Sequence, residues 1–160
     1  MKINKDYINE YKEIIQTTNL QKGYQEFVKF FRYLRTCLEK EFDGYSFTGS
    51  IVENTMDYSY FQFTDDALKS KGLKIVVAFV HCGFSYEVWL SGMNRRVQSE
   101  YFEMLKGKPL QYTLTADPNR IDYILKKTID GELDYEHLDI LISGMKTSIM
   151  EFIRDIKDLI

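Results

Sequence analysis

The chain has 160 residues, 44% of them hydrophobic, and its 21 Lys and Arg against 24 Asp and Glu leave a net charge of −3. That length suits one domain whose core needs neither disulfides nor metal, and the apolar content excludes a disordered chain. The slight acidic excess argues against a general polyanion binder, so a nucleic-acid partner is not favoured.

No stretch reaches the ~20 apolar residues that cross a membrane, and a membrane association is not expected. The opening MKINKDYINEYKEIIQ carries acids and no apolar core, unlike a secretory signal. Cys37 and Cys82 stand outside any CxxC pattern. The expectation is a cytoplasmic protein with reduced thiols and no cofactor. The 12 Tyr and 11 Phe fit a half-buried sheet, where Tyr packs its ring and keeps its hydroxyl wet.

Tyr7, Ile8, Tyr11, Ile14 and Ile15 fall at helical spacing between Lys5 and Gln16. Thr17, Thr18 and Asn19 interrupt the pattern. A longer helix is predicted over 20–41, with Tyr24, Phe27, Phe31, Leu34 and Leu38 as its apolar stripe, widened by Val28, Phe30 and Cys37. Asp43-Gly44 closes it, and the period changes to two.

Residues 45–52 and 57–63 alternate as two strands, joined by a turn at Glu53 to Met56. In that register Val52 faces Asp57 and Gly49 faces Tyr60, a ring over a strand glycine. Thr64 then resembles an N-cap for the short helix DDALKSK, ended by Gly72. The run LKIVVAFVH is apolar on both faces, as in a central strand. With Cys82-Gly83 as the turn, Phe79 pairs with Tyr86, Val77 with Val88 and Ile75 with Leu90. All these bulky pairs share one face, so register and hydrophobic pattern agree. The other face carries Val76, Ala78, Val80, Ser85, Glu87 and Trp89.

A helix starts at Ser91 or Gly92, with Met93, Val97, Tyr101, Met104 and Leu105 inward, and ends at Gly107 and Pro109. LQYTLT is an expected edge strand. Asp117-Pro118 resembles an N-cap followed by Pro at the first helical position, so 118–127 is a short helix. Its rival is another strand, since Ile121, Tyr123 and Leu125 alternate. A last helix is predicted over 134–159, and Gly144 within it marks a close helix approach or a slight bend. The result is a single α+β domain over 1–160. Its antiparallel sheet of four to five strands is built from hairpins and packed by a long N-terminal helix pair and a long C-terminal helix.

The segments LQKGYQEFVKFFRYLRTCLEKEF, MDYSYFQF, LKIVVAFVH and YEVWLSGMNRRVQSEYFEMLK resemble an uncharacterised family of small bacterial proteins, a domain of unknown function. The resemblance covers roughly residues 20 to 106. Its most particular part is Glu87, Trp89, Leu90, Asn94 and Arg95, followed by a Tyr-containing helix. It implies a fold of this kind and a bacterial cytosolic setting, and it brings no catalytic residue.

The candidate site is the strand-to-helix corner: Asp57, Glu87, Trp89, Asn94, Arg95 and Arg96. N–H groups at a helix start attract anions, and an Arg there adds a bidentate donor. The structural alternative is that Arg95 or Arg96 pairs with Glu87, Asp57 or Glu100 and fixes the corner. The leading expectation is a non-enzymatic binding or interaction module for a small anionic ligand or a protein partner. A second is a small metal-assisted hydrolase using Asp57 and Glu87 on a phosphorylated or nucleotide-like substrate, with Thr48, Ser50 and Ser59 beside Asp57. A third is a homo-oligomeric scaffold, a homodimer formed through the LQYTLT edge or the last helix. His81 and Cys82 are adjacent strand residues facing opposite ways, so they do not form a nucleophile pair. Glu87-Val88-Trp89 lacks the lysine that a restriction-type nuclease strand carries. P-loop, dinucleotide, HExxH and GxSxG patterns are absent from the sequence.

Overall fold

The computed structural model describes residues 1–131 and 133–160. Its strands are β1 (Ser46–Asn54), β2 (Tyr58–Thr64), β3 (Leu73–Val80), β4 (Ser85–Gly92), β5 (Thr113–Leu114) and β6 (Leu125–Thr128). They form one antiparallel sheet in the order β1-β2-β3-β4-β6-β5. The helices are α1 (Lys5–Thr17), α2 (Leu20–Glu41), α3 (Asp66–Ser70), α4 (Arg95–Leu105) and α5 (Leu138–Leu159). The class is α+β, as expected, with one more strand than the upper expectation. The chain divides into two compact units, Met1–Thr36 and Cys37–Ile160.

In the first unit, the Asn4 side chain caps α1 by accepting from the Asp6 N–H at 3.0 Å. Every residue of α1 is exposed except the half-buried Ile15. Phe27 and Phe31 stack one turn apart on α2, with centroids 5.5 Å apart.

In the second unit, the hairpin of β3 and β4 has the expected register: Phe79 opposite Tyr86, Val77 opposite Val88, Ile75 opposite Leu90. These six side chains are buried. They share their face with Phe61 and Phe63 of β2, across the ladder from Val77 and Ile75. α5 covers this face with Ile142, Met145, Ile149, Phe152, Ile153 and Ile156. Its Glu151 accepts from Lys127, which sits opposite Val88. Gly144, for which a close helix approach or a slight bend is expected, has open space among the described residues where a Cβ would stand, so it marks no close approach there.

Several local expectations are corrected. The turn between β1 and β2 is tighter than a four-residue loop: Asn54 pairs with Tyr58 and Val52 with Tyr60, while Phe47 pairs with Phe63. Thr55 and Met56 take left-handed backbone, φ 48° and 58°, which their side chains rarely adopt and the sequence does not signal. A bulge between Thr48 and Val52, containing Gly49 at φ +71°, restores the hydrophobic register, so Gly49 does not lie beneath Tyr60.

Asp65, not Thr64, caps α3, accepting from the Leu68 N–H at 2.8 Å. The Thr64 hydroxyl donates instead to the Leu73 carbonyl at 3.0 Å. β4 continues to Gly92, and α4 starts only after the N-cap Asn94. α5 starts at Leu138 rather than Asp134, because the Asp134 carboxylate accepts from the Glu136 N–H and contacts His137 Nδ1, holding a turn there.

The largest correction concerns 118–127. Asp117 does initiate a turn, its side chain accepting from the Asn119 N–H at 2.9 Å. No helix follows among the described residues; the chain becomes β6 against β4, so the strand alternative holds for Leu125–Thr128. β4 is buried on both faces, and without β6 its outer edge would leave backbone groups unpaired. Ile124 and Ile129 extend the join, donating to the Leu90 and Tyr86 carbonyls at 2.7 and 2.8 Å.

At the far end of the sheet Ser59, fully buried, lies 3.0 Å from His81 Nε2. Burial holds the imidazole below the usual histidine range, against the opposing pull of the Asp57 and Glu53 carboxylates. An unfolded histidine titrates near ~6.5. Below that pH the unfolded chain binds a proton that the folded chain resists, so this contribution is complete above ~6.5 and declines as the pH falls. Denaturation midpoints measured across that interval should show a steeper acid loss for the native chain than for His81→Gln. Equal slopes would mean that His81 titrates alike in both states.

Candidate functional site

The sheet face away from α5 is where the candidate residues gather. Cross-strand pairing aligns Gln62, Val76, Trp89 and Lys126 in one row and Tyr60, Ala78 and Glu87 in the next. Val76, Ala78 and Trp89 form a small buried cluster, with Tyr58, Tyr60, Val80 and Tyr123 packed on it. The Trp89 ring meets Tyr58 edge-on at 5.1 Å and Tyr123 at 5.6 Å.

Glu87 is 5% exposed, and both of its oxygens are engaged. Oε2 accepts from the Trp89 indole N–H at 2.7 Å, and Oε1 accepts from Lys126 Nζ at 2.7 Å. Trp89 and Glu87 are two apart on one strand and therefore neighbours on one face. The buried carboxylate is thus neutralised and hydrogen-bonded, which is the condition for its being buried at all.

The strand-to-helix corner is latched by Asp122, from the loop before β6. Its carboxylate accepts from the Tyr58 hydroxyl and, at 2.5 Å, from the Arg95 guanidinium. Burial first, and then this contact, push the Tyr58 phenol well above its ordinary range, so it stays protonated and donating. Arg95 also donates to the Ile121 carbonyl at 2.6 Å, and Ser91 donates to the Asp122 carbonyl at 2.7 Å. The Gln98 side chain bridges the Gly92 N–H, at 2.8 Å, and the Ile121 carbonyl, at 3.2 Å.

These contacts explain two arginines in the first turn of a helix. Positive charge there opposes the helix dipole by a few tenths of a kcal/mol. Arg95 meets a carboxylate and carbonyls that more than offset this, and Arg96 meets Glu100 one turn on, at 2.8 Å. The structural pairing with Glu100 is the expected one; the partner of Arg95 is Asp122 instead of Glu87 or Asp57. Arg95→Ala should cost about 1–2 kcal/mol, because three acceptors lose a charged donor. Arg96→Ala, at an exposed pair, should cost no more than about 0.5 kcal/mol. Urea midpoints of the two variants check this; equal losses would show that Arg95 does not hold the loop.

Two cavities open on this face, sharing Tyr58, Trp89 and Asp122. The first, about 250 Å³, is lined by Tyr60, Lys74, Val76, Asn94, Arg95 and Gln98 among others. The second, about 480 Å³, is lined by Asp57, Glu87, Arg120, Tyr123 and Lys126 among others. Trp89, Asn94 and Arg95 therefore line the first cavity together, while Asp57 and Glu87 share only the second. Arg96 lines neither. Of the polar set expected beside Asp57, Ser59 is buried on the opposite face, Ser50 is exposed within the bulge, and Thr48 accepts from Gln62.

Lys74 was not singled out from the sequence, yet it is the cation with the most consequence here. Its ammonium donates to Gln62 Oε1 at 2.8 Å, and among the described residues no carboxylate pairs with it. Burial lowers its proton affinity, against the opposing field of Asp122. Tyr58, Tyr60, Gln98 and Asp122 were also missed. The first two carried a signal, aromatic residues alternating around Ser59, and Lys74 was the one charge in a run otherwise apolar through Val80. Asp122 sits in a segment whose structure the local pattern left open.

No helix among the described residues is long and apolar enough to cross a membrane, and no group of three or more His, Cys, Asp or Glu side chains is placed to hold a metal ion. No curated protein and no solved structure matches the chain. The model of a domain of unknown function (DUF7000) matches residues 4–160, well beyond the central segment that first suggested a relationship, and the chain belongs to that family.

Proposed function

We propose that the protein is a non-enzymatic binding module whose ligand is a small anion seated in the cavity between Tyr58, Tyr60, Lys74 and Trp89. The observation that carries this reading is Lys74. A half-buried ammonium whose hydrogen-bond partner is a neutral amide is a costly arrangement, and a ligand anion would relieve it. Arg95, by contrast, is already committed to Asp122 and two carbonyls, so its contribution is to hold the wall of the cavity. Glu87 is likewise committed, to Trp89 and Lys126. That favours binding over the hydrolytic alternative, in which Glu87 would need free oxygens for a metal or a proton.

Thermal shift against a panel of carboxylates, phosphate esters and nucleotides tests the reading. An anion present at 100 times its Kd should add about 2.7 kcal/mol of stability. Lys74→Met should abolish that shift while leaving the ligand-free protein as stable as before or more so, because it removes a poorly compensated charge. A panel without any shift, or an equal shift in the variant, would refute the reading.

A further inference from the structure

Resting on that reading, we infer that the ligand is a small aromatic monocarboxylate, its ring against Tyr58, Tyr60 and Trp89 and its carboxylate on Lys74. Charge is the first ground. Among the described residues, the ionisable groups lining the cavity at ordinary pH are Lys74, Arg95 and Asp122. Arg95 and Asp122 neutralise each other at 2.5 Å, which leaves a single positive charge, on Lys74. One net charge matches one carboxylate. A phosphate monoester carries close to two negative charges near neutral pH, and its recognition draws on several donors or a bidentate guanidinium. The guanidinium here has its donors turned to Asp122, Ile121 and Pro118.

The donor count agrees. An ammonium has three N–H donors; Gln62 takes one, at 2.8 Å, and two remain for the two oxygens of a carboxylate. Gln62 is itself steadied by donating to Thr48 at 3.3 Å, so the lysine head is held in place before a ligand arrives.

The walls supply the ring. Tyr58 lies 5.8 Å from Tyr60 at 38° and 5.1 Å from Trp89 at 62°, and Val76 adds an apolar surface between them. Tyr58 and Tyr60 are half-buried and present ring surface to the cavity, while Trp89 and Val76, 5% and 4% exposed, form its floor. The volume, about 250 Å³, lies below the usual range of roughly 300–1,000 Å³ for drug-sized ligands. It suits a one- or two-ring acid and is too small for a dinucleotide.

Trp89, the one tryptophan of the chain, reports binding by its fluorescence. Titrations would use benzoate, phenylacetate, benzamide, cyclohexanecarboxylate, phenyl phosphate and inorganic phosphate. Benzoate or phenylacetate should bind at least about tenfold more tightly than benzamide or cyclohexanecarboxylate, a difference of ~1.4 kcal/mol. Lys74→Met should bring benzoate down to the benzamide level. Tighter binding of phenyl phosphate or inorganic phosphate would overturn the monocarboxylate and leave the anion-binding reading intact. Equal binding of cyclohexanecarboxylate would overturn the aromatic requirement alone. A protein that responds to none of the anions, by fluorescence or by thermal shift, overturns both.

Discussion

Trp89→Ala is expected to destabilise the protein by about 3–5 kcal/mol, the range for removing a large buried aromatic side chain. Three losses combine. The indole is 5% exposed in the middle of the sheet, so its removal leaves a void that rigid strands fill poorly. Tyr58 and Tyr123 lose the ring between them. Glu87 keeps Lys126 but loses the indole N–H that accounts for its second oxygen, and an unsatisfied buried carboxylate oxygen is costly. Trp89→Phe keeps a ring, deletes the donor and leaves a smaller void; about 1–3 kcal/mol is expected. Urea unfolding followed by circular dichroism gives both values without relying on the lost fluorophore. A loss below about 1 kcal/mol in the alanine variant would mean that this face is not a packed layer, and the cavity built on it would lose its wall.

Gly92→Ala is expected to cost about 2–3 kcal/mol, the upper part of the range for overpacking. A Cβ at this position would stand 2.7 Å from the Gln98 nitrogen, 3.0 Å from the Asn94 carbonyl oxygen and 3.1 Å from the Gln98 Cα. All three are backbone atoms of the first turn of α4, so no side chain can rotate aside. Relief requires α4 to move off the end of β4, and Arg95 and Gln98 move with it. The same substitution should therefore weaken binding in the first cavity along with stability. Gly144→Ala is the matched control. It lies inside α5 with open space, among the described residues, around the added methyl and should gain about 0.4–1 kcal/mol. If Gly92→Ala melted at the native temperature, the close approach of α4 to β4 would be wrong.

The stretch from Tyr86 to Gly107 is both a structural junction and one wall of the first cavity. Ser91-Gly92 is first a structural junction, where the absence of a side chain lets a helix start within contact distance of a strand. Arg95 belongs to that junction, since it holds the loop that carries Asp122. The cavity beside it is a consequence of the junction: α4, the 117–124 loop and the sheet face meet there without filling the space above Tyr60 and Val76.

The sequence by itself determined the elements whose pattern is local and unambiguous. α2 spans its predicted bounds, because a wide apolar stripe at helical spacing has one solution. The register of β3 and β4 followed from their alternation, because a one-residue slip would expose every bulky pair. Glu87 and Trp89 were placed together on the outer face for the same reason. The family relationship was legible in the central segments.

Tertiary structure decided the rest. The bulge at Gly49 and the left-handed Thr55 and Met56 arise because β1 must match a strand already paired to β3. β6 forms where local preference indicated a helix, because the free edge of β4 needs partners for its backbone groups. The partner of Arg95 lies 27 positions away, and Lys74 meets Trp89, Tyr58 and Asp122 only once four separate segments are assembled. Helical and strand periodicity act over a few residues; which charges meet depends on contacts between segments far apart in the chain.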